Sequence, residues 1–227
     1  LTIVNGNNFI SSFKDMKIMH DTNNLKHTTQ DGVSFYNCDI LTKDGATVIV
    51  SNVNIKSCFI NASQIQCSDE YTLDDYVFSD NTWTANTIFG IVLTSVTLDS
   101  LRNCVVSNNR VTNTTPTRTR LFLSPNIPAR NIKITDNVIY NPHVSTDTPL
   151  ADGIIGAFTA IGSASEFTLT VTGNTVYSST INTAMTLGKA SDTYHKFTMM
   201  YKDNNIIVNS GTVANPKRSS VLSTMIQ

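Results

Sequence analysis

Apolar and polar residues alternate in a pattern that recurs along almost the whole chain. In its clearest copy, Ile132 and Ile134 alternate with polar residues, Asp136 and Asn137 follow, and Ile139 opens a second apolar stretch. Alternation with period two predicts a strand with one buried face. The copies align on Met16, Cys38, Cys58, Asn81, Asn109, Asn137, Asn174 and Asn205. Intervals of 20 to 37 residues between these positions indicate a solenoid of stacked coils.

A tight turn is predicted just before each aligned position, because the residues there accept left-handed backbone or bond to their own turn. These residues are Asp15, Asn37, Ser57, Asp80, Asn108, Asp136, Gly173 and Asn204. A third apolar patch follows in many coils, at 48–50, 91–93, 121–123 and 185–187. Three strands per coil predict three sheets.

Asparagine dominates the aligned position in the later coils, and stacked amides can bond both neighbouring coils. The predicted ladder is Asn81, Asn109, Asn137, Asn174 and Asn205, and a second polar column is Asn113, Asn141, Ser178 and Asn209. A leucine-rich repeat would also fit the segment 132–139. However, the second half of each coil is rich in Thr, Ser, Val and Pro, which disfavour the helix or Leu-rich segment of such a repeat.

The asparagine column, the short turn and the variable coil length resemble the right-handed parallel β-helices of the pectin-lyase-like superfamily, which includes polysaccharide lyases and phage tailspikes. The predicted fold is all-β: a right-handed parallel β-helix (solenoid) of about eight coils, with three short sheets and an Asn ladder at one turn. Right-handedness follows from the resemblance and from the chirality of parallel crossovers.

The composition of the chain argues against some classes of binding partner. The 227 residues carry a net charge of −1 and only 15% charged side chains, which argues against nucleic-acid binding. No apolar run reaches the ~18 residues of a membrane span. We expect one domain over 1–227, a piece of a longer parent because it begins at Leu1, with a loop excursion at about 142–162.

The four cysteines, Cys38, Cys58, Cys67 and Cys104, lack the spacing of a metal or redox site. Cys38 and Cys58 hold the same motif position in successive coils, about 4.8 Å apart. This distance permits a disulfide, although in-register side chains rarely meet its torsion requirement. Buried thiols are favoured, and both states stay open.

The resemblance implies polysaccharide as the ligand, but the catalytic signatures of the enzyme families are absent. The chain has no Gly-His-Gly segment of the polygalacturonases and no Arg-x-Pro-x-x-Arg segment of the pectate lyases. The question of catalysis stays open, with a non-enzymatic role favoured. An active chain would be a polysaccharide lyase or a glycoside hydrolase, with no required cofactor other than an optional Ca²⁺.

A basic zone offers candidate ligand-binding residues, because no carboxylate occurs between Asp99 and Asp136. Arg102 and Arg130 each precede their aligned Asn by seven residues, which predicts that they stack on adjacent coils. Stacked arginines favour an anion laid across them, and Arg binds carboxylates bidentately. The predicted ligand-binding residues are Arg102, Arg110, Arg130, Lys133, Tyr140 and Tyr177. The simpler alternative is that these cations are solvated surface charges whose aliphatic stems cover apolar surface.

Aromatic and acidic residues provide two further candidate sites, one for a sugar ring and one for Ca²⁺. Tyr140 and Tyr177 share one outward position and predict a flat apolar face for a sugar ring, whereas Trp83 falls at an inward position. A cluster of carboxylates precedes the basic zone and could supply the oxygen ligands of Ca²⁺. Its members are Asp69, Glu70, Asp74 and Asp75. A solvated loop is the simpler interpretation of this cluster.

Two functions remain. The first is an extracellular, cell-surface or virion β-helix that binds an anionic polysaccharide. The second is a structural shaft or adhesin stalk without catalysis, whose partners are copies of itself in a homotrimer or other domains of the parent chain. The lack of catalytic signatures and the low charge motivate the second.

Overall fold

The computed structural model describes the repeated part of every coil and leaves gaps between. The described residues are 3–4, 11–20, 25–28, 33–42, 47–50, 53–62, 64–67, 73–85, 90–93, 101–113, 122–124, 129–141, 155–157, 167–178, 185–187 and 197–208. Every regular element within these ranges is a β-strand, and none is a helix. The predicted all-β class is therefore confirmed.

The strands form three eight-stranded sheets and one short sheet. The first sheet contains β1 Ile3–Val4, β4 Leu25–Thr28, β7 Thr47–Val50, β10 Gln64–Cys67, β14 Gly90–Leu93, β18 Phe122–Ser124, β22 Ile155–Ala157 and β25 Met185–Leu187. The second sheet contains β2 Ser11–Lys14, β5 Val33–Tyr36, β8 Val53–Lys56, β12 Val77–Ser79, β16 Val105–Ser107, β20 Ile132–Thr135, β23 Phe167–Thr172 and β26 Phe197–Lys202.

The third sheet follows the second after a two-residue corner. It contains β3 Lys17–His20, β6 Asp39–Thr42, β9 Phe59–Asn61, β13 Thr82–Ala85, β17 Arg110–Asn113, β21 Val138–Asn141, β24 Thr175–Ser178 and β27 Asn205–Val208. Each strand pairs in parallel with its equivalents in the neighbouring coils, as in Ile134↔Val171 and Ile139↔Val176. The chain is a right-handed parallel β-helix, as the repeat and the resemblance predicted.

The core is a stack of equivalent apolar side chains from successive coils. From the second sheet come Phe35, Ile55, Phe78, Val106, Ile134 and Val171, and from the third Ile40, Ile60, Trp83, Val111, Ile139 and Val176. Trp83 is fully buried, as predicted, and its Nε1 donates to the Ala62 carbonyl at 2.7 Å. Burial of these side chains supplies the main stabilising term.

The asparagine ladder runs through the corner between the second and third sheets. The Asn109 Oδ1 accepts from the backbone N and the Nδ2 of Asn81, at 3.1 and 3.0 Å. The Asn109 Nδ2 donates to the Phe78 carbonyl and to the Asn137 Oδ1, at 3.0 and 2.8 Å. All the polar atoms of this buried amide are satisfied, so the ladder avoids the cost of an unpaired buried group.

The corner residues adopt left-handed backbone, as predicted for seven coils. Positive φ occurs at Asp15, Asn37, Ser57, Asp80, Asn108, Asp136, Gly173 and Asp203. Placing the last corner at Asn204 and the ladder at Asn205 was wrong by one residue, because Asn174 bonds Asn204 through its N and its Nδ2. β26 pairs with β23 residue by residue up to Lys202↔Thr172, which leaves no room for another residue before the turn.

The same shift changes the end of the second polar column. Val208, rather than Asn209, lies opposite Ser178. Asn141 does pair with Ser178 in the preceding coil, as the spacing predicted. The column therefore ends one coil earlier than its sequence suggests.

Three middle coils contain a strand that the sequence pattern did not predict. The short sheet consists of β11 Leu73–Asp74, β15 Leu101–Arg102 and β19 Ala129–Arg130. It is followed by a second column of left-handed residues, Asp75, Asn103 and Asn131. The Asn131 Nδ2 donates to the Asn103 Oδ1 at 2.9 Å. This second bend occurs in coils of different length, since Cys58 and Asn81 lie 23 residues apart and Asn81 and Asn109 lie 28 apart.

The predicted loop excursion at 142–162 is only partly described. Its residues 155–157 form β22, which pairs with β18 and β25 in the first sheet. This short segment therefore continues the first sheet, and the loop excursion over the rest of the range stays a prediction. The remainder of 142–162 lies outside the described residues.

Cys38 and Cys58 are buried free thiols, and Cys104 is buried as well. The backbone N of Cys38 donates to the Cys58 Sγ at 3.4 Å, so the thiols continue the ladder position with weaker acceptors. Burial raises the pKa of the Cys58 thiol to about 11. A thiol held protonated in this way is a poor nucleophile. The side chain of Cys67 lies outside the described residues.

Candidate functional site

The outer surface of the third sheet carries five of the eight exposed large apolar side chains found among the described residues. The alternation that buries Ile139 turns Val138 and Tyr140 outward. The exposed members are Met19, Phe59, Val138, Tyr140 and Tyr177. Met19, Phe59 and Val138 were absent from the predicted site, although they stand at outward positions of the same alternation. We refer to these five residues as the apolar strip.

Tyr140 and Tyr177 form an aromatic pair on this surface. They are direct register partners on β21 and β24, with ring centroids 6.1 Å apart and an interplanar angle of 67°. Tyr140 is 45% exposed and Tyr177 is 37% exposed. The predicted outward position of the two tyrosines on adjacent coils is confirmed, but their rings meet edge to face and do not form the flat face that the sequence suggested. An edge-to-face pair held by a regular sheet is a rigid apolar platform with two hydroxyl groups.

The basic residues are distributed over three sheets. Arg110 is exposed on the third sheet, directly beside Val138 in the register, so it borders the aromatic pair. Lys133 is exposed on the second sheet, on the other side of the corner. Arg102 and Arg130 lie in the short sheet. The structure therefore brings Arg110 close to the tyrosines and places the other three cations on neighbouring sheets.

Arg102 and Arg130 pair in the short sheet, so their predicted alignment on adjacent coils is confirmed for the backbone. Asp74 occupies the same register position one coil earlier. In-register positions on adjacent coils are about 4.8 Å apart, backbone to backbone. Along the axis, this register position is therefore occupied by Asp74, then Arg102, then Arg130. The sequence pattern had not revealed the acidic residue in this column.

The predicted calcium site is only half described. Asp69 and Glu70 lie outside the described residues. Asp74 is in β11, and Asp75 is the exposed left-handed residue that follows it. Within the described ranges no group of three or more His, Cys, Asp or Glu residues is placed to hold a metal ion.

Among the described residues, no helix is long and apolar enough to cross a membrane. An ion pair joins Lys202 and Asp203 at 3.3 Å, with both side chains largely exposed. An exposed pair of this kind contributes little to stability.

Comparison with protein-family models, with curated proteins and with solved structures found no match to this chain. Its coils and its asparagine ladder are therefore the basis for any functional inference. A fold of this kind hosts many unrelated activities, so function has to be argued from the surface residues.

Proposed function

We propose that this β-helix binds an anionic polysaccharide on the outer surface of the third sheet, around Tyr140 and Tyr177. The observation that carries the proposal is the exposed aromatic pair, held in register on two adjacent coils. Sugar rings have an apolar face that packs on aromatic side chains, and their hydroxyl groups bond to polar groups at the rim. Arg110 next to Val138 adds a cation beside the pair.

The geometry of a solenoid suits a linear polymer. Successive coils are about 4.8 Å apart, a distance comparable to the length of one sugar unit. A glycan lying along the axis would therefore meet one coil per sugar. Lys133, Arg102 and Arg130 would lie on neighbouring sheets, where they would add long-range attraction for acidic groups.

We further propose that the chain belongs to the pectin-lyase-like superfamily and acts outside the cell, at the cell surface or on a virion. The stacked coils, the left-handed corner and the asparagine ladder support this assignment. We favour binding without cleavage. If the chain were a calcium-dependent lyase, the acidic cluster that includes Asp74 and Asp75 would be the candidate Ca²⁺ site, and this can be tested directly.

The test is a binding screen of the purified chain against acidic and neutral polysaccharides, with calcium and with chelator. The variant Tyr140→Ala/Tyr177→Ala should weaken binding by about tenfold or more. Met19→Ala is the matched control, because Met19 is exposed on the same sheet at its opposite end. Equal binding by the double variant would refute the assignment of this surface. New unsaturated chain ends that require calcium would make the protein a lyase.

A structural shaft is the second candidate, and the apolar strip favours it. Its five exposed apolar residues are distributed from the first to the seventh coil of one sheet face, with Asn61, Thr82 and Arg110 exposed between them. In a trimer that buries this face, the strip would be removed from water. Light scattering separates the candidates, since a shaft predicts a trimer that Val138→Lys dissociates. A monomer at high concentration would rule out the shaft.

A further inference from the structure

Lys14, Tyr36 and Lys56 form a row on the outer face of the second sheet. They are consecutive register partners on β2, β5 and β8. All three side chains are exposed, and Tyr36 is 44% exposed. This Lys–Tyr–Lys row lies in the first three coils, on a different sheet from the aromatic pair.

A second, uncharged row runs beside it, two residues earlier on each strand. Its members are Ser12, Ser34 and Asn54, which are also consecutive register partners. The Asn54 Oδ1 accepts from the backbone N of Val77 at 2.9 Å, which fixes the orientation of the amide. The surface thus combines two cations, one aromatic ring and a line of hydroxyl and amide groups.

The two lysines make no ion pair with a carboxylate in the described part of the chain. Asp15 is the carboxylate next to Lys14 in sequence, and it instead accepts a hydrogen bond of 2.6 Å from the Asn37 Nδ2. The two lysines also repel each other weakly across the intervening coil. Their positive charge is therefore available to an external anion.

The spacing of the row indicates which anion. Lys14 and Lys56 are two coils apart, or about 9.6 Å, with Tyr36 on the coil between them. On an axial glycan this places one cation at every second sugar and an aromatic ring at the sugar between. A polymer with a charge on every unit, such as a polyuronate or a nucleic acid, would place an uncompensated anion on Tyr36.

We propose that the Lys–Tyr–Lys row binds a linear polysaccharide with one acidic group on every second sugar. The lysines bind the acidic groups, Tyr36 packs against the uncharged sugar, and the neighbouring row bonds to hydroxyl groups. The inference rests on the proposed function for the class of ligand, but it depends on separate residues. Each can therefore fail without the other.

The experiment measures binding of the full chain to hyaluronan oligosaccharides, whose carboxylates fall on every second sugar. Oligogalacturonates of equal length, with a carboxylate on every sugar, and oligothymidylate are the comparison ligands. Lys14→Gln/Lys56→Gln and Tyr36→Ala should each weaken hyaluronan binding by about tenfold. Lys202→Gln is the matched control, because Lys202 is an exposed lysine at the far end of the same register row.

The proposal requires that hyaluronan binds more tightly than both comparison ligands and that Lys202→Gln has no effect. Equal or tighter binding of oligogalacturonate or oligothymidylate would overturn it, as would unchanged binding by the double lysine variant. The Tyr140→Ala/Tyr177→Ala protein separates the two surfaces. If that variant alone lost hyaluronan binding, the row would be excluded and the aromatic pair retained. If it bound normally and the lysine variant did not, the reverse would hold.

Discussion

Removal of one ladder amide should cost much of the stability of the β-helix. Asn137 is fully buried and makes four side-chain hydrogen bonds. Its Oδ1 accepts from the N and the Nδ2 of Asn109, at 3.0 and 2.8 Å. Its Nδ2 donates to the Val106 carbonyl and the Asn174 Oδ1, both at 2.9 Å.

Asn137→Ala removes these bonds unequally. The Asn109 Nδ2 keeps its bond to the Phe78 carbonyl, and the Asn174 Oδ1 still accepts from the backbone N of residue 137. The Asn109 N–H and the Val106 carbonyl, however, would remain in the interior without this partner. At about 1 kcal/mol for a lost bond and about 1–3 kcal/mol for a buried unsatisfied group, we expect a loss of about 3–5 kcal/mol.

Guanidinium chloride unfolding followed by fluorescence measures this loss, because Trp83 is the single tryptophan and is fully buried. Asn205→Ala is the control, since the Asn205 side chain is exposed and makes no hydrogen bond with another described residue. It should change the free energy of unfolding by less than about 0.5 kcal/mol. If Asn137→Ala cost no more than this control, the ladder would not be a stabilising network.

Three further predictions concern single positions. Gly173→Ala should cost about 1–2 kcal/mol in urea unfolding, because φ is +68° and an added Cβ would meet the Asp136 carboxylate. Gly173→Asn adds the same Cβ but should cost less, because Asn tolerates left-handed backbone better than Ala; equal costs would contradict the backbone argument. Because burial raises the pKa of Cys58 from 9.0 to about 11, the folded state keeps a proton that the unfolded chain releases. The contribution of this thiol to the free energy of unfolding should therefore be fully present below pH 9 and be lost as the pH rises towards 11. A melting temperature that does not change across this window would refute the prediction. Trp83→Phe should lower the melting temperature with a cost of about 1–3 kcal/mol, because the Ala62 carbonyl loses its donor; an unchanged melting temperature would contradict this.

The sequence determined the coils because each copy contains the physical reason for its own shape. Alternating apolar residues form a half-buried strand wherever they occur, and Asp, Asn or Gly before the ladder position favours the left-handed turn. The inward position of Trp83 and the outward position of Tyr140 both follow from this local alternation. The function had no such local signal, because outward residues are free to vary without disturbing the core.

Tertiary structure decided whatever depends on pairing between distant coils. Asp203, Asn204 and Asn205 would each suit a turn, and only the register of β26 against β23 selects Asn204 for the ladder. The short sheet was missed for the same reason, since two-residue strands have too few positions to show a period. Neighbouring coils likewise set the companions of each surface residue. Asp74 takes the register position next to Arg102, and Tyr36 comes to lie between two lysines, because residues 20 to 30 apart in the chain become adjacent when the coils stack.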